Sequence, residues 1–267
     1  MSALAYTVTD SATMLRRNLR RLRRYPSMTL LLVGMPIVFL LLFVYVFGGQ
    51  LGAGLGRGLT AGHAGRAGYV NYVTPGILLM TVAAAVQGTA IVVAMDMTGG
   101  IIDRFRTMAI ARACVLTGHV LASLIQALVS ILVVLGVAVA VGFRPTTDAA
   151  SWLAAIGVLT LFAIALIWLA TALGLAAKSV ETASNTPMFL TLLPFLGSGF
   201  VPTASMPAGL RQFATYQPFT PVTETVRGLL TGTHIGGSAI AAIAWSLGIV
   251  VASYLWARHL YNQRRAR

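Results

Sequence analysis

The sequence predicts an all-α integral membrane protein that crosses the bilayer six times. Of its 267 residues, 57% are hydrophobic and only 9% are charged. In a soluble domain about a quarter of the residues are charged. Apolar runs of near-span length recur along the chain, and about twenty helical residues cross a ~30 Å hydrocarbon layer. The basic residues, which give a formal charge of +13, lie at the ends of these runs. That placement is typical of topology signals and lipid contacts, and it argues against nucleic-acid binding.

Residues 1–27 are predicted to form a cytoplasmic tail and an amphipathic interfacial helix. Val8, Ala12, Leu15, Leu19 and Leu22 recur at helical spacing and share one face. The remaining surface is basic: Arg16, Arg17, Arg20, Arg21, Arg23 and Arg24. A basic amphipathic helix of this kind typically lies in the membrane interface. A solvated cytoplasmic helix is the alternative.

Residues 28–260 are predicted to form a single membrane domain, followed by a basic cytoplasmic tail at 261–267. The first apolar run is too long for a signal peptide and has no cleavage site after it. Residues 48–74 are rich in glycine and predict a loop. The fifth run contains Pro187 and Pro194, which argue against a straight span. The predicted spans are 28–47, 75–95, 115–141, 152–177, 186–201 and 239–258.

Residues 202–233 are too apolar for an ordinary loop and too interrupted for a span. Ser205 and Pro207 are expected to start one helix and Pro221 a second, which Gly232 ends. We therefore expect an extracellular re-entrant hairpin of two short helices. Glu224, the only acidic residue here, is predicted to form a local surface pair with Arg227, worth well under ~1 kcal/mol.

The distribution of basic residues predicts the orientation. With the amino terminus inside, 14 of the 19 lysines and arginines fall on inner segments and 5 on outer ones. This bias places both termini in the cytoplasm. A bacterial inner membrane is the expected location.

The sequence lacks the motifs that several kinds of activity require. It contains no phosphate-binding loop, so the chain is not expected to hydrolyse ATP or to be an enzyme, and no catalytic residue is assigned. Its histidines are scattered and its one cysteine is Cys114, so neither a metal site nor a disulfide framework is predicted. Asp96, Asp103 and Glu181 lie at span ends or in loops. Ion-coupled transport needs buried carboxylates, so any transport energy is expected from elsewhere.

Residues 99–108 form a compact amphipathic segment between the second and third spans. Ile101, Ile102, Phe105 and Met108 gather on one helical face. A small helix tied to two spans suits docking to a cytosolic partner. A solvated turn against the membrane surface explains the same pattern equally well.

Two stretches resemble the membrane permeases of type-2 ABC exporters, in particular the daunorubicin-resistance type of drug and lipid exporter. Residues 100–108 resemble the coupling helix of that family. Residues 195–202, with Met206-Pro207 and residues 218–224, resemble its fifth helix and extracellular re-entrant hairpin. The resemblance covers essentially the whole chain. Ala109 departs from it, because the family usually has proline there.

The resemblance implies a permease subunit that exports an amphiphilic drug, antibiotic or lipid. It implies two permease subunits, identical or related, and two cytosolic ABC ATPase subunits, which bind ATP and magnesium; this chain is expected to bind no cofactor. Seven residues are implied in ATPase coupling: Ile101, Ile102, Asp103, Arg104, Phe105, Arg106 and Met108. Six are implied in an extracellular gate: Phe200, Pro202, Pro207, Pro218, Pro221 and Glu224.

Two alternatives stay open at this point. One is a secondary multidrug or lipid transporter that works without ATP. The other is a membrane scaffold or immunity protein that transports nothing. Export measured with and without an ATPase separates all three.

Overall fold

The computed structural model describes residues 15, 16, 18, 20, 26–55, 65–98 and 112–263, and within these ranges the chain is helical and contains no strand. The first helix, α1, continues into a π-helical turn at Leu42–Phe47, and a short 3₁₀ helix occupies Thr203–Ser205. The α-helices are α1 Pro26–Leu41, α2 Gly48–Gly54, α3 Gly65–Thr98, α4 Arg112–Val141, α5 Ala149–Ala176, α6 Val180–Asn185, α7 Met188–Leu192, α8 Ala208–Tyr216, α9 Phe219–Thr231 and α10 Ser238–Gln263.

Five helical stretches among the described residues are long and apolar enough to cross a membrane. They are Leu32–Gly54, Gly65–Thr98, Thr117–Val141, Ala149–Ala176 and Ser238–Tyr261. The chain is therefore a multi-pass α-helical membrane protein. The predicted fifth span, 186–201, is not a straight helix, as its prolines indicate: it consists of α7 and a run of turns.

The predicted loop at 48–74 is wrong over most of its described length. Residues 48–54 form α2, and α3 begins at Gly65 rather than at residue 75, with Pro75 inside the helix. The first turns of α3 are buried almost without interruption from Gly68 onward. Packing against the rest of the protein thus outweighs the low helix propensity of glycine and proline.

Helix α3 is the centre of the structure. In its most apolar window 72% of the residues are buried, against 22% for Leu32–Gly54 and 17% for Ser238–Tyr261. It contacts α1, α2, α4, α5, α6, α7 and α9. The outer helices, such as α10, leave apolar side chains exposed on their far faces. In a multi-pass membrane protein these faces are available to lipid or to another membrane subunit.

Gly76 lets α3 approach the nonhelical backbone around Gly199. A Cβ atom on Gly76 would lie 2.6 Å from the Gly199 carbonyl oxygen and 2.7 Å from its Cα. Both contacts are with backbone, which cannot rotate away as a side chain does. The close packing of these two segments therefore requires a residue without a side chain at position 76.

The region after the 3₁₀ helix forms two short helices, as predicted. Pro207 precedes α8, and Gly232 ends α9 in the left-handed conformation at φ 72°, where its N–H donates to the Gly228 carbonyl at 2.9 Å. The loop before α5 docks at the same place, because the Thr146 N–H donates to the Leu230 carbonyl at 3.3 Å.

The same loop caps α5 and touches α3. Asp148 caps α5 by accepting from the Ser151 N–H at 3.1 Å, and hydrogen bonding to Ser151 holds the pKa of this carboxyl below its ordinary value. The Arg144 N–H donates to Asn71 Oδ1 at 3.0 Å. The α4–α5 loop, the end of α9 and the first part of α3 therefore lie together at one end of the protein.

Replacing Gly76 with alanine is expected to lower the free energy of unfolding by about 1–3 kcal/mol, because backbone has to move to admit the methyl group. Gly88, in the same helix, is the matched control, since a Cβ there meets nothing within 4 Å. Gly88→Ala is expected to change stability by less than ~1 kcal/mol and to favour the helix. Denaturant unfolding in detergent measures both. Equal effects would contradict the proposed close approach.

Candidate functional site

The six predicted gate residues lie on one continuous stretch that runs from the end of the turns to α9. Phe200 is buried, Pro221 and Glu224 lie within α9, and the other prolines precede helices. In order along the chain, Pro202 precedes the 3₁₀ helix, Pro207 precedes α8 and Pro218 precedes α9.

Residues 193–200 form a nonhelical turn segment that α3 supports with side chains. The Tyr72 hydroxyl donates to the Ser198 carbonyl at 2.9 Å, and the Tyr69 hydroxyl to the Phe200 carbonyl at 3.2 Å. All four residues are buried. Buried carbonyls outside regular helix need such donors, because an unpaired one destabilises the fold.

Arg227 joins the turn segment to α3 and α9. Its side chain is 1% exposed. It donates through Nη2 to the Ser198 carbonyl at 2.6 Å and through Nε to the Tyr72 carbonyl at 3.2 Å. Its third partner is Glu224 Oε1, which accepts from Nη1 at 2.8 Å. The guanidinium carbon also lies 3.9 Å from the centre of the Tyr72 ring, a cation–π arrangement. One charged group thus holds three segments together.

Two further side chains of the same region bind the turn segment. The Ser198 N–H donates to Thr220 Oγ1 at 3.3 Å, and Gln217 Nε2 donates to the Leu193 carbonyl at 3.0 Å. We call Tyr69, Tyr72, Gln217, Thr220 and Arg227 the Arg227 latch. It fastens residues 193–200 between α3 and α9.

The predicted pair of Glu224 and Arg227 is present at the expected helical spacing, but its description as a surface pair is wrong. The side chain of Glu224 is 35% exposed, while that of Arg227 is fully enclosed. The sequence interpretation placed Arg227 on the surface of this helix. The buried face of α9 and the carbonyls of α3 and the turn segment instead take up its guanidinium.

A group of phenylalanines lines the turn segment on the side of α1. The rings of Phe195 and Phe200 stack with centroids 4.7 Å apart, and Phe43 approaches Phe200 at 4.6 Å. Phe39 meets Phe195 edge-on at 5.3 Å. Phe43 lies in the π-helical turn, a local departure from α-helix that is frequent at functional sites. These rings attach α1 to the turn segment.

A second buried pair of ionisable side chains lies at the opposite end of α3. Asp96 Oδ2 is 3.2 Å from His119 Nε2, and the two side chains are 3% and 4% exposed. The expectation that ion-coupled transport has no buried carboxylate available is therefore wrong, and His119, one of the scattered histidines, lies buried within α4. Asp96 does lie near a helix end as predicted, but packing of α4 against α3 encloses it.

The predicted coupling residues, 101–108, lie outside the described residues. Of the predicted interface arginines, Arg16 and Arg20 are described and both are exposed, whereas Arg17, Arg21, Arg23 and Arg24 lie outside. Within the described ranges no group of three or more histidine, cysteine or acidic side chains is placed to hold a metal ion.

Sequence reasoning missed Tyr69, Tyr72, Arg227 and the Asp96–His119 pair. The two tyrosines fell in the stretch predicted to be a loop. Arg227 is the one basic residue of α9 and sits among valine, threonine and leucine. An arginine inside such a run was the available signal, because an ionisable residue in an apolar helix is functional by default.

Comparison with known proteins agrees with this architecture. The family model described as ABC-2 type transporter matches residues 10–231. The chain belongs to the ABC-2 type transporter family. The resemblance drawn from the sequence is therefore confirmed, and membership implies association with an ATP-binding subunit.

Two relatives are drug-resistance permeases by name. The chain is 25% identical over 265 residues to the daunorubicin resistance ABC transporter permease protein DrrB1 of Streptomyces coeruleorubidus, covering 99% of this chain and 90% of that protein. It is 28% identical over 177 residues to the probable doxorubicin resistance ABC transporter permease protein DrrC of Mycobacterium tuberculosis, covering 65% of this chain and 64% of that one. The family and these relatives support the predicted function, a transmembrane permease subunit of an ABC exporter.

Arg227→Ala is expected to lower the free energy of unfolding by about 1–3 kcal/mol, because the Ser198 and Tyr72 carbonyls each lose a donor inside the protein. Arg211 is the matched control: it is exposed, and among the described residues its side chain donates to the Met206 carbonyl just before its own helix. Arg211→Ala is expected to change stability by less than ~0.5 kcal/mol. Denaturant unfolding of both variants in one detergent measures the change in the free energy of unfolding. If the two variants lose the same free energy, Arg227 does not hold the turn segment.

Proposed function

We propose that the chain moves an amphiphilic drug, antibiotic or lipid-like molecule from the cytoplasm or the inner leaflet to the outside. The observation that carries this proposal is the family match over residues 10–231. The names of the relatives point to planar aromatic drugs such as daunorubicin and doxorubicin. The apolar helices and the phenylalanines beside the turn segment suit such a substrate.

The energy is proposed to come from a cytosolic ABC ATPase, which binds ATP and magnesium, because the sequence contains no phosphate-binding loop. Residues 99–108 are proposed as the contact with it. Their place in the chain supports this: α3 ends at Thr98 and α4 begins at Arg112, so the segment joins the most buried helix to its neighbour.

Six crossings are proposed, the fifth made by residues 180–200. This segment starts beside Gln87, whose Nε2 donates to the Ser184 carbonyl at 3.1 Å, and it reaches Tyr72 at Ser198. Fifteen helical residues separate Gln87 from Tyr72, or about 22 Å along α3. A broken segment that covers this distance passes through most of a ~30 Å hydrocarbon layer. Both termini then lie on the cytoplasmic side, and the hairpin of α8 and α9 lies outside.

A second permease subunit, identical or related, and membrane lipids are the proposed partners of the exposed helix faces. Residues 28–260 act as the single permease domain in this proposal. The basic segment within 1–27 lies at the membrane interface, and 261–267 form a cytoplasmic tail. Arg16 and Arg20, which are exposed, are available to lipid phosphates.

One observation favours the alternative of a secondary transporter. The Asp96–His119 pair is the kind of buried ionisable group that ion-coupled transport requires. Proteoliposomes that contain the chain with and without its ATPase, sought among the neighbouring genes, separate the two functions. Doxorubicin uptake into inside-out vesicles that depends on ATP supports the exporter. Uptake that a proton gradient drives without ATP contradicts it.

The orientation is tested by cysteine labelling in a Cys114→Ser background. Arg211 and Lys178 are both exposed and lie on segments assigned to opposite sides. Arg211→Cys is expected to react with a membrane-impermeant maleimide in intact cells, and Lys178→Cys only after permeabilisation. Arg57→Cys and Arg104→Cys are expected to follow the same division. The reverse pattern would overturn the orientation.

The coupling role is tested at Phe105, the largest apolar residue of the proposed contact. Burying a phenylalanine in a partner groove contributes about 2–3 kcal/mol. Phe105→Asp is expected to leave membrane insertion intact, to weaken ATPase binding and to abolish ATP-driven export. Phe105→Leu keeps an apolar side chain and is expected to retain most of the export. Normal export by Phe105→Asp with its ATPase bound would show that residues 99–108 are only a turn.

A further inference from the structure

The Asp96–His119 pair lies between the two helices that residues 99–111 connect. Asp96 is two residues before the end of α3, and His119 is about 10 Å along α4 from its first residue. Both side chains are at least nine-tenths buried, and their polar atoms are 3.2 Å apart. The pair therefore bridges α3 and α4 beside the segment proposed to contact the ATPase.

Packing alone does not account for this pair. A carboxylate in the last turn of a helix lies at the negative end of the helix dipole, which disfavours it. Buried ion pairs generally stabilise a fold no better than apolar residues of similar size. What such a pair does supply is one fixed arrangement of the two helices that carry it.

The rest of α3 explains why a fixed arrangement at this place matters. About 36 Å of helix separates Asp96 from Tyr72, and Tyr72 belongs to the Arg227 latch that holds the turn segment. If α3 and α4 slide past each other near residues 99–111, a displacement of that segment by the ATPase moves only the adjacent helix ends. If the two helices are held together, the same displacement moves α3 as a whole.

We infer that Asp96 and His119 are positioning residues that tie α3 to α4, so that the two helices move as one body when the ATPase acts on residues 99–108. This inference rests on the proposed function. Neither residue contacts ATP or has to contact substrate. Their effect is on the amount of drug moved for each ATP hydrolysed.

The test uses three variants of the full chain, assembled with its ATPase in proteoliposomes, with doxorubicin as the probe. Asp96→Asn removes the charge from one partner. The exchange Asp96→His with His119→Asp restores a carboxyl–imidazole pair. The pair Asp96→Leu with His119→Met fills the site with apolar side chains and is expected to fold, because such replacements of buried ion pairs are often neutral or stabilising.

Doxorubicin transported per ATP hydrolysed is the readout, together with ATPase binding and thermal unfolding. We expect the apolar pair to bind the ATPase and hydrolyse ATP normally, while transport per ATP falls by about tenfold, within the range of coupling between distant sites. In Asp96→Asn the transport per ATP is expected to fall by a similar factor. In the exchanged pair it is expected to recover.

Normal transport per ATP in the well-folded apolar pair would overturn the inference, because the site would then be a packing contact only. The same measurement on the wild-type chain tests the proposed function separately. If that function is wrong, the wild-type chain itself shows no ATP-dependent uptake of doxorubicin.

Discussion

Nonhelical backbone inside a membrane protein has to find its hydrogen bonds among the protein's own groups, because lipid supplies none. Residues 193–200 meet this constraint through side chains of α3 and α9. Arg227 is central, since its guanidinium reaches the Ser198 carbonyl, the Tyr72 carbonyl and Glu224 together. Without these donors the carbonyls of the segment lose their partners inside the protein, which destabilises this nonhelical path of the chain.

The same constraint accounts for the position of α3. This helix provides Tyr69 and Tyr72 as donors at one end and Gly76 for the close approach of Gly199. At its other end it provides Asp96 for the pair with α4. Pro75 lies between these features and has no N–H to donate to the Asn71 carbonyl. A helix with so many specific polar partners cannot be exchanged for a generic apolar span. Its depth within the protein, rather than its hydrophobicity, distinguishes it from α10.

The sequence predicts most of the fold because membrane insertion leaves a strong pattern. Apolar runs mark the long helices, and the prolines around α7, α8 and α9 mark where the chain departs from a span. What it does not predict follows from packing. Glycines in α2 and at the start of α3 indicate a loop, yet burial keeps them helical. Asp96 and His119 are 23 positions apart along the chain, and nothing local shows that they meet. Arg227 was assigned to the surface because sequence position alone does not give the face of a short helix.

The two polar clusters lie near the two ends of one helix. A hydrogen-bonded polar contact is directional and short in range, so it has few alternative arrangements. At the end of α3 near residues 99–111, such a contact fixes α4. At the other end, the Arg227 latch fixes residues 193–200. Helix α3 between them is the most buried of the long helices, with Pro75 near its Tyr72 end. About 36 Å of helix joins the Asp96–His119 pair to the Arg227 latch. The turn segment ends at Phe200, one of the six residues that the resemblance implies in an extracellular gate.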